Sequence, residues 1–278
     1  MLGALIIVFR EVIEAGLIVG IVLAVTRGVP RRGFFVAGGV GAGVLGACLL
    51  AIFAKEIAGA LEGMGQEVFN AAVLIVAACM LAWHNVWMAS HGREMAAELR
   101  GVGQQVAEGG KDLTALAIVV AVAVLREGSE VVLFLYGVAA SGKETLGAML
   151  AGGAAGVALG AGLSALMFYG LVKIPAKTLF GVTTALITFL AAGMAAQSVV
   201  YLQQAGLVEA WSRTLWNTSA LLPDDGILGR VLHVLFGYVD QPSGMQVAVY
   251  LVALASIFLA TRAAAPKPPQ PSLKVAKS

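Results

Sequence analysis

The sequence predicts an all-α integral membrane protein of seven transmembrane helices: two inverted three-helix repeats, 1–3 and 4–6, followed by a seventh helix. Three observations predict it. Hydrophobic residues make up 59% of the 278-residue chain and charged residues only 12%, against about 25% charged in soluble domains. Apolar stretches reach the ~20 residues needed to cross about 30 Å of hydrocarbon; they lie at about 2–26, 34–54, 67–90, 113–140, 143–172, 178–203 and 245–262. Finally, Arg10-Glu11-Val12-Ile13-Glu14 in the first stretch recurs as Arg126-Glu127-Gly128-Ser129-Glu130 in the fourth, 116 residues on.

The first stretch starts at Leu2 with no basic segment before it and no A-x-A cleavage site after it. It therefore reads as a retained span rather than a removable leader. Spans two and five are dense in glycine (Gly38, Gly39, Gly41, Gly43, Gly46; Gly152, Gly153, Gly156, Gly160, Gly162), which lets membrane helices approach closely. Spans three and six share Ala77-Ala78-Cys79-Met80 and Ala191-Ala192-Gly193-Met194, 114 residues apart. Repeat one thus covers about 1–90 and repeat two about 113–203. Three spans per copy force the second copy to cross the membrane in the opposite sense, a plan that places binding sites at the repeat interface near the midplane. Cys48 and Cys79 lack CxxC spacing and read as small packing residues.

The connection 204–244 is the one long external link. Its Trp211, Trp216, His233 and Tyr238, with helical apolar spacing over 231–236, read as an interfacial segment or a lid over a vestibule. Helix seven, 245–262, closes a single membrane domain of 1–262. The Pro- and Lys-rich tail, 263–278, is expected to be disordered and cytoplasmic. Connections 27–33, 91–112 and 173–177 and the segment after Ala260 carry 3, 3, 2 and 4 basic residues, whereas the alternate side holds Lys55, Lys143, Arg213 and Arg230. That imbalance sets the amino terminus outside a cytoplasmic membrane and the carboxyl terminus inside.

Charges at bilayer depth cost several kcal/mol or more. Within each motif the glutamates fall at i and i+3 on one helical face, with the Arg four residues before the second. If the repeats face each other, four carboxylates and two guanidiniums converge with a formal charge of about −2. Two buried Arg–Glu pairs would be structural. Two further glutamates with no basic partner need a cation, a proton or water. Oxygen-only ligation favours hard cations such as Fe³⁺, Mn²⁺, Ca²⁺ or Mg²⁺. His84 in span three is either a further ligand or proton acceptor, or a structural histidine between Trp83 and Trp87. Met80 and Met194 offer a little soft ligation or simply pack, and Gln197 and Tyr201 could line a path. Glu56, Glu62, Glu67, Asp224 and Asp225 could draw a cation to the external mouth. A net charge of +2 without a basic stripe argues against a nucleic-acid partner, and the absence of a phosphate-binding loop argues against ATP as the driving force.

With its doubled Arg-Glu-x-x-Glu motif in spans one and four, the chain resembles the high-affinity iron permease family, the permeases that partner a ferroxidase in fungi and their bacterial counterparts. The resemblance covers essentially the whole membrane region. It implies iron uptake across the cytoplasmic membrane, with Glu11, Glu14, Glu127 and Glu130 binding iron as transported substrate and Arg10 and Arg126 supporting them. It also implies an extracytoplasmic ferroxidase or iron-delivery partner. Fungal members carry an Asp-Ala-Ser-Glu motif in an external loop; here Asp224-Asp225 is only a loose stand-in. Related bacterial transporters handle other metals, including lead, so a manganese or lead carrier is one alternative. A membrane di-iron carboxylate oxidase is another, although such sites use Glu-x-x-His pairs and neither motif contains His. A proton-coupled exporter would use the same residues in reverse.

Overall fold

The computed structural model describes residues 1–61, 65–142, 144–171, 175–224 and 226–264. Expectations for Glu62, Asp225 and the tail beyond 264 lie outside the described residues, as does the side chain of Glu56. Among the described residues there are eight helices: α1 (Leu2–Val25), α2 (Arg32–Leu61), α3 (Gln66–Ala107), α4 (Leu113–Ala140), α5 (Leu146–Phe168), α6 (Ala176–Gln204), α7 (Ile227–Phe236) and α8 (Gly244–Ala264). Five segments are long and apolar enough to cross a membrane: Arg32–Phe53, Gln66–Gly92, Leu146–Phe168, Phe180–Gln204 and Gly244–Ala264. At 24 and 28 residues, α1 and α4 have the length as well, but each carries three charges at its centre.

Several boundaries differ from the sequence expectation: α2 runs to Leu61 rather than about 54, α5 spans Leu146–Phe168 rather than about 143–172, and α3 and α8 both run longer. Helix α3 does not stop near residue 90; it runs on to Ala107, a 42-residue helix about 63 Å long. Hydropathy marks where a helix leaves hydrocarbon, not where it ends. The segment beyond Gly92 is rich in Ala, Glu and Gln, which favour helix. Its Leu99 and Val106 are buried, and Val106 packs with Val22, Val36, Leu116, Val120 and Val124. Likewise α8 reaches Ala264, past the expected start of the tail. Cys48 and Cys79 are free and lie on exposed faces rather than in the packed interior.

Helix α1 packs along α5, α2 along α4 and α3 along α6, while α1 and α4 also meet. Glycine makes the first two contacts possible. A Cβ on Gly39 would lie 2.5 Å from the Ala117 carbonyl oxygen, and one on Gly43 2.7 Å from Val124 Cβ. Across the molecule, Gly152 sits against Met1, and a Cβ on Gly156 would lie 2.9 Å from both the Leu5 carbonyl oxygen and Val8 Cβ. Backbone meets backbone at these points, so nothing larger than hydrogen fits. Outside the pairs, α8 packs on α6 and α3. Helix α7 ends at Gly237 in the left-handed region (φ 68°) and sets Phe236 against Phe189 of α6.

Two apolar clusters bracket the middle of the bundle. One holds Ile7, Leu74, Phe134, Leu190 and Met194 toward the start of α1; the other, around Val22 and Val120, lies toward its end. Polar side chains fill the interval between them. Replacing Gly43 or Gly156 by Ile should destabilise the fold by about 1–3 kcal/mol or more through overpacking. Gly41→Ala, at a position with nothing within 4 Å, should leave the thermal unfolding midpoint in detergent unchanged.

Candidate metal site

Residues 10–14 and 126–130 sit at the centres of α1 and α4, where the two helices meet. Helical spacing turns Glu11 and Glu14, and Glu127 and Glu130, inward. Arg10, Glu11, Glu14, Glu127 and His84 are all buried. Arg10 forks between its own two glutamates, Nη1 to Glu11 Oε1 at 3.2 Å and Nη2 to Glu14 Oε1 at 3.0 Å. The second motif is looser: Arg126 Nε stands 3.5 Å from Glu130 Oε1 and 4.0 Å from Glu127 Oε1.

His84 of α3 joins the two halves. Its Nε2 lies 3.6 Å from Glu14 Oε2, and its Nδ1 meets Glu130 Oε2. Phe134 sets a ring edge-on to the imidazole, centroids 6.4 Å apart. The adjoining Asn85 holds α3 against α6, donating from Nδ2 to Thr188 Oγ1 at 3.2 Å and to the Thr184 carbonyl at 3.4 Å. Imidazole is therefore part of the cluster, and the donor set is not oxygen alone.

Two triads have ligand atoms within 4.8 Å of one another: Glu11, Glu14 and His84, and Glu11, Glu127 and Glu130. Glu11 is common to both. Among the described residues no hydrogen bond reaches Glu11 Oε2 or either oxygen of Glu127. Buried anionic oxygens without donors are costly, and a cation relieves that cost directly. Four carboxylates and two guanidiniums leave a formal −2 with the imidazole neutral, so a divalent ion brings the cluster to neutrality. Carboxylate with one imidazole suits borderline first-row divalent metals.

The two arginines differ in setting. Arg10 is sealed at 1% exposure, whereas the Arg126 side chain keeps 32%. Arg126 also lies 4.0 Å above the Trp87 ring and donates from Nη1 to Met95 Sδ at 3.5 Å. The sequence reading paired neither Trp87 nor Met95 with Arg126, because both contacts cross from α4 to α3.

Other expected residues lie elsewhere. Met80 and Tyr201 pack at the edge of the apolar cluster that contains Met194, and Met194 fills the space beside Gly137. Gln197 lines a small cavity nearer the start of α1. Glu67 is exposed at the start of α3. Asp224 Oδ1 accepts from the Asp240 N–H at 3.1 Å, while Asp240 Oδ2 accepts from the Asp224 N–H at 3.3 Å. That reciprocal pair fastens the ends of the α7 hairpin together and occupies the Asp224 carboxylate.

These features define a multi-pass, all-helical membrane protein in which, among the described residues, the buried charged side chains are collected in one site between α1, α3 and α4. Residues 1–265 match the model of the iron permease FTR1 family, and the chain belongs to that family. It is 33% identical over 274 residues to the ferrous iron permease EfeU of Escherichia coli O6:H1 (strain CFT073), covering 93% of this chain and 96% of that protein. It is 31% identical to the ferrous iron permease EfeU of Yersinia pestis over 267 residues (93% and 94%), and to that of Shigella sonnei (strain Ss046) over 262 residues (91% and 92%). No solved structure matches the chain.

Removing Arg10 strands two buried carboxylates. Arg10→Met should cost about 3–5 kcal/mol of stability, and Arg10→Met/Glu14→Gln should recover part of it, as read by thermal unfolding of the detergent-solubilised variants.

Proposed function

We propose that the chain imports ferrous iron across the cytoplasmic membrane through the site formed by Glu11, Glu14, Glu127, Glu130 and His84, with Arg10 and Arg126 holding the carboxylates. The observation that carries this reading is the convergence of both motifs on one imidazole, leaving a formal charge of −2 that a dication neutralises. The relatives named as ferrous iron permeases support iron, and support the divalent state over Fe³⁺. Permease relatives along nearly the full length also favour a carrier over the alternative of a di-iron oxidase.

In this reading α1 and α4 cross the membrane with the five apolar segments and α1–α3 and α4–α6 form inverted repeats, with the amino terminus outside. Paired glycine contacts support the repeat. Gly39 and Gly43 of α2 meet Ala117, Ala121 and Val124 of α4, as Gly152 and Gly156 of α5 meet Met1, Leu5 and Val8 of α1. Each α5 glycine lies 113 residues beyond its α2 counterpart, and each α4 residue 116 beyond its α1 counterpart. A two-fold axis in the membrane plane produces such swapped pairs.

Iron arriving from outside meets the apolar layer of Ile7, Phe134 and Met194 before the carboxylates. Rocking of one repeat against the other opens that layer and then the opposite side. On that inner side the partly exposed Arg126, resting on Trp87, is the movable member of the cluster. An inside-negative potential supplies about 2.3 kcal/mol per charge per 100 mV, hence about 4.6 kcal/mol for a dication. That is roughly a 2000-fold accumulation at equilibrium, since each 1.4 kcal/mol is tenfold.

Anaerobic radiolabelled iron uptake into proteoliposomes with an imposed inside-negative potential tests the proposal. Wild type should accumulate Fe²⁺; Glu14→Ala and Glu130→Ala should not, and His84→Ala should lose roughly tenfold or more. Near-normal uptake by these variants would remove the site from the path. Accumulation of Mn²⁺ or Pb²⁺ in place of iron would reassign the substrate. Comparison of Fe²⁺ with Fe³⁺ also decides whether an extracytoplasmic oxidase belongs to the system, because uptake of Fe²⁺ alone requires none.

A further inference from the structure

The same motif occurs twice, yet its two arginines sit differently. Arg10 closes on its own glutamates through both terminal nitrogens, at 3.0 and 3.2 Å. Arg126 approaches its pair through Nε, at 3.5 and 4.0 Å. The rest of its guanidinium is engaged elsewhere: Cζ lies 4.0 Å above the Trp87 ring, and Nη1 donates to Met95 Sδ at 3.5 Å.

Trp87 and Met95 belong to one stripe of α3. His84, Trp87, His91 and Met95 fall at i, i+3, i+7 and i+11, so the face that carries the bridging imidazole also carries both groups that hold Arg126. His91 stacks on the Trp87 indole, ring centroids 5.1 Å apart and planes 13° from parallel, and its Nδ1 lies 2.7 Å from Ser90 Oγ. Indole is the aromatic face that attracts a cation best, and a thioether sulfur accepts a weak hydrogen bond. In repeat two the corresponding places carry no such pair. In the register that aligns Met80 with Met194, Trp87 falls at Tyr201, and Met95 falls at Glu209, beyond the end of α6 at Gln204. Tyr201 packs at the edge of the apolar cluster instead. The arginine without a cradle closes on its glutamates, and the one with a cradle stands back.

Standing back leaves Glu127 without a donor: both its oxygens are buried and, among the described residues, accept no hydrogen bond. We infer that Trp87 and Met95 are positioning residues for the metal site, holding the Arg126 guanidinium off Glu127 and Glu130 so that these carboxylates stay available to a divalent cation. A guanidinium and a dication compete for the same oxygens. Without the cradle Arg126 closes over both carboxylates, as Arg10 does over its own, and the ion has to displace it. The role given to the two residues rests on the carboxylates being the iron site, as proposed above.

Anaerobic ⁵⁵Fe²⁺ binding to the full-length protein in detergent provides the test. Trp87→Leu should weaken binding roughly tenfold, within the range of a lost cation–π contact, and Trp87→Phe should restore most of it. Met95→Leu, which keeps the volume and removes the acceptor, should weaken it by less. In an Arg126→Gln background Trp87→Leu should have no effect, because no guanidinium is left to place; a loss that reflected packing alone would persist there. In proteoliposomes Trp87→Leu should raise the apparent KM for Fe²⁺ by the same factor and leave the maximal rate nearly unchanged. Should Trp87→Leu fail to fold, Met95→Leu with and without Arg126→Gln carries the same comparison. Unchanged or tighter binding in these variants, or an equal loss with and without Arg126, overturns the positioning role and leaves the glutamate site intact. A wild type that binds no Fe²⁺ removes the site and the cradle with it. A wild type whose binding depends on Trp87 in this way, yet which moves no iron, would defeat the transport reading and leave the positioning role standing.

Discussion

Everything in this molecule answers to one electrostatic constraint: four carboxylates are enclosed between apolar layers with only two guanidiniums beside them. Ionised groups in that setting are tolerated only when paired or when a cation completes the site. Arg10 satisfies the first pair closely, at 3.0 and 3.2 Å. Arg126 satisfies the second loosely and is shared with Trp87. His84 links what remains. With the imidazole neutral, the residual formal charge of −2 belongs to no single residue, and in the proposed reading it is where a divalent substrate would bind.

Packing delivers the charges to one point. The glycines of α2 and α5 allow α4 and α1 to lie nearly backbone to backbone against them. That close approach fixes the rotation of α1 and α4 about their axes, and with it the direction of the glutamates. The motif and the glycine-rich spans are thus two parts of one arrangement. Apolar clusters above and below exclude water, which strengthens each ion pair and raises the cost of an empty site. A site that is costly when empty and neutral when filled is suited to coupling binding with a change of shape.

Much of the architecture was legible because membrane constraints write themselves plainly into sequence. Apolar length marks the crossing segments, and glutamates at i and i+3 share a face whatever surrounds them. The glycine density of α2 and α5 pointed to tight packing, and α4 and α1 lie against those glycines. Three features were not legible. His84 is a lone residue with no periodic partner, and only the three-dimensional meeting of α1, α3 and α4 makes it a bridge. The extension of α3 to Ala107 was hidden because hydropathy falls where the helix leaves hydrocarbon while helix propensity continues. Glu144 drew no notice in the sequence, since its enclosure depends on Gly3, Gln197 and His233, all distant along the chain. Asp224 illustrates the reverse: an acidic residue in the connection between α6 and α8 looked fit to draw in cations, yet its Oδ1 is engaged by the Asp240 backbone N–H.

The most direct test of the account is to locate the bound ion. Crystals grown anaerobically with Fe²⁺ and measured on either side of the iron absorption edge should show the strongest anomalous peak among Glu11, Glu14, His84, Glu127 and Glu130, at about 2.0–2.2 Å from carboxylate oxygen and imidazole nitrogen, distances usual for first-row divalent metals. A strongest peak outside this cluster, or ordered water in its place with no iron signal at saturating Fe²⁺, would contradict the central claim.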